Sequence, residues 1–89
     1  FTPTLANATL ALFGNISGTG GIIKQGDGIL LIPGNNSYTG PTNINQGALV
    51  LGSATGIGAS SAVTNNATFD LNNFNATIGS LAGNGNTLL

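Results

Sequence analysis

Charged side chains are almost absent from this sequence of 89 residues, and this limits the chemistry that it can carry out. Lys24, Asp27 and Asp70 are the three charged residues, and the chain has no histidine and no cysteine. Enzymes that cleave polysaccharides on β-helices need clustered carboxylates and basic residues for acid–base catalysis. Ser–His and thiol nucleophiles need residue types that are missing here. The composition therefore predicts a protein that is not an enzyme and that holds no cofactor or metal.

Each charged residue has a structural interpretation. Asp27 lies between two glycines, where an aspartate commonly caps a turn; the alternative, a Ca²⁺ ligand, lacks the repeated acidic motif of such sites. We expect Asp70 to face outward as a solvated group and Lys24 to face outward on a strand, where it protects a sheet edge. The net charge of −1 predicts no nucleic-acid partner.

Asparagine supplies most of the other polar motifs. Because the chain is rich in Asn and Thr, we expect most Asn-x-Ser/Thr triplets to be corner residues whose amides form ladders along the stack, with glycan attachment as the open alternative. These triplets begin at Asn7, Asn15, Asn35, Asn66 and Asn75.

A period of about 20 residues organises the apolar residues, and this period is typical of a β-solenoid with one coil per repeat. One series of strands begins at Thr9, Ile29, Ala48, Thr68 and Thr87, which are 20, 19, 20 and 19 residues apart. A second column contains Leu5, Ile23, Ile44, Val63 and Leu81. We predict an all-β, right-handed parallel β-helix of about four to five coils, since parallel crossovers are overwhelmingly right-handed. It forms one segment over residues 1–89, within a longer array or fibre, and the start at Phe1 without Met indicates a processed or excised segment.

Alternation along the strands assigns the two faces. The inward columns are Leu10, Leu30, Leu49, Phe69 and Leu88, and Leu12, Ile32, Leu51 and Leu71. The outward columns are Thr9, Ile29, Ala48, Thr68 and Thr87, and Ala11, Leu31, Val50 and Asp70. Leu31 and Val50 thus lie side by side on the exterior. We predict that they form an assembly contact, because soluble proteins rarely leave a contiguous apolar stripe exposed to water.

The corners carry the remaining signals. We expect residues 52–61, which lack alternation, to bulge out or to form a single helical turn, and Pro41 to lie at a corner outside the ladders. Tyr38 and Phe74 are the aromatic candidates for carbohydrate binding. Ice binding needs a regular threonine array, but the first outward column is interrupted at Ile29 and Ala48.

From Gly21 to Gly52 the chain resembles the autotransporter-associated β-strand repeat, which occurs in passenger regions of bacterial autotransporters. The matching positions are Gly21, Lys24, Gly26, Gly28, Leu30, Ile32, Gly34, Asn36, Tyr38, Gly40, Thr42, Ile44, Gly47, Leu49, Leu51 and Gly52. Residues from Val63 to Gly85 are similar to the usual sequel of that repeat, so the resemblance covers residues 18–86. Pro41 departs from the pattern, which tends to have glycine there.

The resemblance implies a structural β-solenoid module of a secreted or surface-displayed bacterial protein: a passenger stalk, an adhesin or a fibre subunit. Its implied location is extracellular or at the cell surface. The implied partners are adjacent repeats or copies of itself, with a host surface or glycan beyond them. A carbohydrate- or ice-binding solenoid is the alternative. No membrane insertion is expected, because the longest aliphatic run, Ile29 to Ile32, is too short to span a bilayer.

Overall fold

The computed structural model describes residues 9–88, which form nine short strands and no helix. The strands are β1 (Thr9–Ala11), β2 (Ile22–Lys24), β3 (Ile29–Ile32), β4 (Thr42–Ile44), β5 (Ala48–Leu51), β6 (Ala62–Asn65), β7 (Thr68–Asp70), β8 (Ser80–Ala82) and β9 (Asn86–Leu88). Odd-numbered strands form a five-stranded sheet in the order β1-β3-β5-β7-β9, and even-numbered strands form a four-stranded sheet in the order β2-β4-β6-β8. All neighbours are parallel. The predicted β-solenoid is confirmed, with about four coils in the described part.

The five-stranded sheet has the predicted register except at its last strand. Leu10, Leu30, Leu49 and Phe69 form one inward column, as expected. The column continues into Thr87, whereas Leu88 pairs with Asp70 on the outer side. The prediction was wrong by one residue because the last turn is shorter: the Asn86 amide donates to the carbonyl oxygen of Ala67 at 2.8 Å, which starts β9 at Asn86. Asn86 therefore occupies the outward position that was predicted for Thr87. Leu89, the last residue of the predicted strand, lies outside the described residues.

The four-stranded sheet corrects the second predicted column. Its inward columns are Ile22, Thr42, Val63 and Leu81, and Lys24, Ile44 and Asn65. Ile23 pairs with Asn43 on the outer side, so Ile23 and Ile44 do not share a column. The consecutive Ile22 and Ile23 gave no alternation to follow. The pairing of Val63 with Leu81 is confirmed, and the predicted first member, Leu5, lies outside the described residues.

The core lies between the two sheets and the corner segments. Each fully buried aliphatic side chain stabilises the fold by roughly 1.5–3 kcal/mol before entropy is counted. The buried apolar side chains are Ile22, Leu30, Ile32, Tyr38, Ile44, Leu49, Leu51, Ile57, Val63 and Phe69. Tyr38 and Ile57 come from corners, so the corners complete the core as well as reversing the chain.

The corner at residues 52–61 forms tight turns and no helix. The Gly56 amide donates to the carbonyl oxygen of Ser53 at 3.3 Å, and the Ser61 amide donates to that of Gly58 at 2.9 Å. A Cβ at Gly58 would overlap the carbonyl oxygen of Tyr38, so glycine is required for this approach of two coils. Pro41 precedes β4, is exposed, and accepts a hydrogen bond from the Ile22 amide at 2.9 Å. Its predicted place at a corner is confirmed.

Candidate functional site

Lys24 lies inside the solenoid, and the prediction that it faces outward is wrong. Its side chain is completely buried, and Nζ donates to the carbonyl oxygens of Gln25 at 2.8 Å, Gly26 at 2.8 Å and Gln46 at 3.4 Å. An ammonium group has three donors, which this set of carbonyls satisfies. Burial lowers the pKa of Lys24, and the nearby Asp27 carboxylate partly offsets that effect. Lys24 therefore holds the turns of two successive coils together.

The side-chain amides of Gln46 and Asn65 also link the turns of successive coils. The Gly26 amide donates to Oε1 of Gln46 at 2.9 Å, which links the same two coils from outside. One coil beyond Ile44, Asn65 occupies the column of Lys24; its Nδ2 donates to the carbonyl oxygen of Asn86 at 2.8 Å and its Oδ1 accepts from the Ala67 amide at 3.1 Å. The signal in the sequence was a lysine directly followed by the glycine-rich turn Gln25–Gly28.

Asparagine side chains link the coils at another corner, but through backbone groups and a threonine hydroxyl and not through the predicted amide-to-amide ladder. Oδ1 of Asn15 accepts from the Asn35 amide at 3.0 Å, and Oδ1 of Asn35 accepts from the Thr55 hydroxyl. Asn36 bridges coils on both sides: its Oδ1 accepts from the Ile16 amide at 2.7 Å, and its Nδ2 donates to the carbonyl oxygen of Gly56 at 2.6 Å. The corner side chains are thus part of the hydrogen bonding that stacks the coils.

Tyr38 is not available to a carbohydrate, contrary to its place among the exposed aromatic candidates. Its ring is completely buried, and its hydroxyl group bonds to Oγ1 of Thr42 at 2.5 Å. Thr42 bonds in turn to Oγ of Ser61 at 2.7 Å, and Ser61 donates to the carbonyl oxygen of Gly40 at 2.8 Å. This buried hydroxyl chain joins residues 38–42 to Ser61 in the next coil. Phe74, the other candidate, is 37% exposed.

The hydroxyl chain predicts a loss of stability in alkali. Burial raises the pKa of Tyr38, although hydrogen bonds from neighbouring groups partly oppose the rise. Since the folded pKa lies above the ordinary value of 10.0, the contribution of Tyr38 is fully present below pH 10 and is lost as the pH rises through the folded pKa. We expect phenolate absorbance, which reports this single tyrosine, to rise together with unfolding above pH 10.

Tyr38→Phe is the control for that titration. The lowered pKa of Lys24 acts in the opposite direction in alkali, because the folded state releases that proton first. The difference in unfolding free energy between the wild type and Tyr38→Phe isolates the tyrosine. A difference that does not change between pH 9 and 12 would contradict the buried hydroxyl chain.

The two aspartates are not brought into a reactive group. Asp27 is exposed, and the Asx turn predicted there is found at Asp70, whose Oδ1 accepts from the Asn72 amide at 2.8 Å. Asp70 is half-buried and has this local partner, so its predicted role as a simple solvated group is incomplete. Across residues 9–88 no three His, Cys, Asp or Glu side chains are grouped as metal ligands would be.

Leu31 and Val50 lie opposite each other on the outer face of the five-stranded sheet. They pair directly in β3 and β5, with Ala11 on one side and Asp70 on the other. Both are half-buried by their neighbours, and Ile29 beside them is 39% exposed. The outer apolar stripe, defined as Ile29, Leu31 and Val50, therefore exists; its use in assembly stays a prediction.

The two ends of the stack expose residues that are buried in the middle. In one inward column Leu10 is 38% exposed, whereas Leu30 and Leu49 are completely buried. In the other, Leu81 is 49% exposed and its neighbour Val63 only 1%. Among the strands of residues 9–88, β1 and β2 are the edge strands at one end, and β8 and β9 are the edge strands at the other. These end faces are where a further coil would complete the core.

Residues 22–51 match the family model described as the passenger-associated transport repeat. That segment is similar to this repeat family over 30 of the chain's 89 residues. It contains β2 to β5, and with them the Lys24 turn, the buried Tyr38 and the outer stripe. The family resemblance predicted from the sequence is thereby confirmed.

Two relatives extend the match. The adhesin BmaC autotransporter of Brucella suis biovar 1 (strain 1330) is 43% identical over 85 residues, which cover 92% of this chain and 2% of that protein. The Neisserial autotransporter lipoprotein NalP of Neisseria meningitidis serogroup B (strain ATCC BAA-335 / MC58) is 60% identical over 37 residues, 42% of this chain and 3% of that protein. The chain thus spans only 2–3% of the length of these relatives. No solved structure matches it. Within residues 9–88 there is no helix long and apolar enough to cross a bilayer.

Proposed function

We propose that this chain is a structural module of a bacterial autotransporter passenger: a segment of a rigid stalk that holds other parts of the passenger away from the cell. It acts outside the cell or at the cell surface, where passengers are delivered. The repeat match and the two autotransporter relatives support this assignment. BmaC is an adhesin by name, and a stalk that carries an adhesive region is the form of the proposal that this relative favours.

One observation carries the proposal: at each end of the described stack, one inward column ends in an apolar side chain that is partly exposed. Leu10 and Leu81 are 38% and 49% exposed at positions where the middle coils bury Leu30 and Val63 almost entirely. Repeat proteins gain stability from each interface between neighbouring units. Edge strands also present unpaired backbone groups, which another strand can satisfy. Adjacent repeats of the passenger, or copies of this segment, are the partners that fit these faces.

The polar residues support a structural role. Lys24, Asn36, Thr42, Ser61 and Asn65 are buried, and every buried side-chain nitrogen and oxygen in the described part of the chain has a hydrogen-bond partner. Satisfied buried polar networks make a fold rigid and specify one arrangement of the chain. These groups stiffen the stack, so the proposal assigns the segment no catalytic activity.

The proposal also gives the outer apolar stripe a partner, a second solenoid of the same kind packed side by side. Ile29, Leu31 and Val50 form a continuous apolar patch over two neighbouring coils, on a face where Asp70 is the single charged residue. Two copies can therefore approach with little electrostatic repulsion. We expect this lateral contact to be weaker than the axial one, because Leu31 and Val50 are already half-buried and have less apolar surface left to cover.

Light scattering over a concentration series tests the proposal on the 89-residue chain. We expect the average mass to rise with concentration. Leu81→Lys places a charge on an end face and is expected to suppress axial association, whereas Ala62→Lys, on the exposed outer side of the same sheet, serves as the control. Val50→Lys is expected to reduce lateral association only. A monomer at all concentrations that retains the β-sheet circular dichroism spectrum would refute association through these faces.

A further inference from the structure

We propose that Asn75 is an acceptor for an N-linked sugar, and that the first sugar ring packs into a surface depression beside Phe74. Asn75, Ala76 and Thr77 form an Asn-x-Thr triplet, the sequence that N-glycosylation requires. This modification is independent of the stalk function proposed above. It is based on side-chain hydrogen bonding, which differs between this asparagine and the other triplet asparagines in residues 9–88.

The other three triplet asparagines are engaged in stacking. Oδ1 of Asn15 accepts from the Asn35 amide at 3.0 Å, and Oδ1 of Asn35 accepts from the Thr55 hydroxyl. Oδ1 of Asn66 accepts from the Asn84 amide at 3.4 Å. These bonds hold each carboxamide oxygen against the neighbouring coil and restrict rotation of the side chain. Asn75 is exposed, and its carboxamide makes no hydrogen bond in the described structure.

The loop that carries Asn75 is built in a fixed and unusual conformation. Asn72 and Asn73 both have positive φ, 51° and 66°, which is uncommon for residues other than glycine. Nδ2 of Asn72 donates to the carbonyl oxygen of Leu51 at 3.2 Å, and the Phe74 amide donates to that of Leu71 at 2.9 Å. Consecutive strained residues persist where the surrounding structure holds them, and they concentrate at functional sites. The loop therefore presents Asn75 to solvent from a base anchored to the preceding coil.

A depression of about 400 Å³ lies beside this asparagine. Its lining residues are Leu71, Asn73, Phe74, Asn75 and Ala76. The volume falls within the range of small-ligand sites, roughly 300–1,000 Å³. Phe74 is 37% exposed, and an aromatic face packs well against the C–H face of a sugar. The Asn73 amide offers donors and an acceptor for sugar hydroxyl groups. The lining is uncharged, which suits a neutral hexose or N-acetylhexosamine.

The transfer uses a sugar activated as its diphosphate ester and a glycosyltransferase of the producing cell. The Asn75 amide nitrogen forms a bond to the anomeric carbon while the bond from that carbon to the diphosphate oxygen breaks. The diphosphate leaves with the electron pair of that bond, and a base of the transferase takes one amide proton. No oxidant or reductant is needed.

Peptide mass spectrometry on the protein isolated from the bacterium that makes it tests the proposal. We expect the peptide containing Asn75 to carry the mass of a hexose or N-acetylhexosamine residue, localised to Asn75 by fragmentation. Asn75→Gln and Thr77→Ala should each remove the adduct, and Asn66→Gln should leave it unchanged. Neither of the first two changes removes a hydrogen bond of the described structure, so both variants are expected to fold.

Two results would overturn the proposal. One is a wholly unmodified Asn75 peptide in the mature protein from its own host. The other is a sugar on Asn15, Asn35 or Asn66 with Asn75 bare. Neither result bears on the end faces or on the association experiment.

Discussion

Replacing Ile22 with alanine is expected to lower the free energy of unfolding by about 2–5 kcal/mol, the usual cost of removing a large buried aliphatic side chain. Ile22 is completely buried in an inward column between the sheets, next to Thr42 in the following coil. The cavity would open at the first residue of β2, whose amide donates to the carbonyl oxygen of Pro41 at 2.9 Å. Denaturant unfolding followed by circular dichroism measures the change.

Ile23→Ala is the matched control, with the same atoms removed from the next residue of the same strand. Ile23 is half-buried on the outer side and pairs with Asn43, so the expected loss is about 1 kcal/mol, mainly from weaker strand propensity. Equal losses, or a larger loss at Ile23, would show that β2 is turned by one residue and that Ile23 belongs to the inward column with Ile44.

The same pair of residues shows why one sheet was predictable and the other was only partly so. In β1 and β7 the inward residue is flanked by small or polar residues. In β3 and β5 the flanking residues are mostly apolar, but the repeat spacing of 19 or 20 residues still gave the register. In β2 the order Ile-Ile-Lys places the charged residue inside, so hydrophobic alternation favours the wrong phase. A shift of one residue turns every side chain to the other face. The register there is fixed by backbone bonds between coils, such as the one from the Asn45 amide to the carbonyl oxygen of Lys24 at 2.9 Å.

In the candidate site, too, some positions follow from the sequence pattern and others depend on contacts with other coils. Leu31 and Val50 were assigned to the outer face correctly because that face depends on alternation alone. The positions of Lys24 and Tyr38 depended on which polar groups from other coils would meet them. Lysine and tyrosine are usually at least partly exposed, so composition favours the surface for both. A solenoid changes that expectation, because each turn brings a new set of backbone carbonyls to the ends of the inward columns.

Replacing Lys24 with methionine is the sharpest test of this internal cation. Methionine keeps most of the aliphatic stem, so packing changes little, but the carbonyl oxygens of Gln25, Gly26 and Gln46 lose their shared donor. Each buried acceptor left without a partner costs about 1–3 kcal/mol. Water can reach these partly exposed turns and recover some of that cost. We therefore expect Lys24→Met to lower the free energy of unfolding by about 2–3 kcal/mol in total.

Asp27→Asn is the control for the charge alone, because it removes the carboxylate that favours the protonated lysine without touching the three hydrogen bonds. Asp27 is exposed, so this change is expected to have little effect on stability at neutral pH. Gln46→Ala tests the outer link between the same two coils, since its Oε1 accepts from the Gly26 amide. If the lysine and the glutamine both fasten this turn, the double variant Lys24→Met/Gln46→Ala should show a loss that differs from the sum of the single losses, as expected for groups that share a partner segment. A Lys24→Met protein as stable as the wild type would mean that the ammonium group does not hold the coils together, and the outward position predicted from the sequence would then be the better description of this residue.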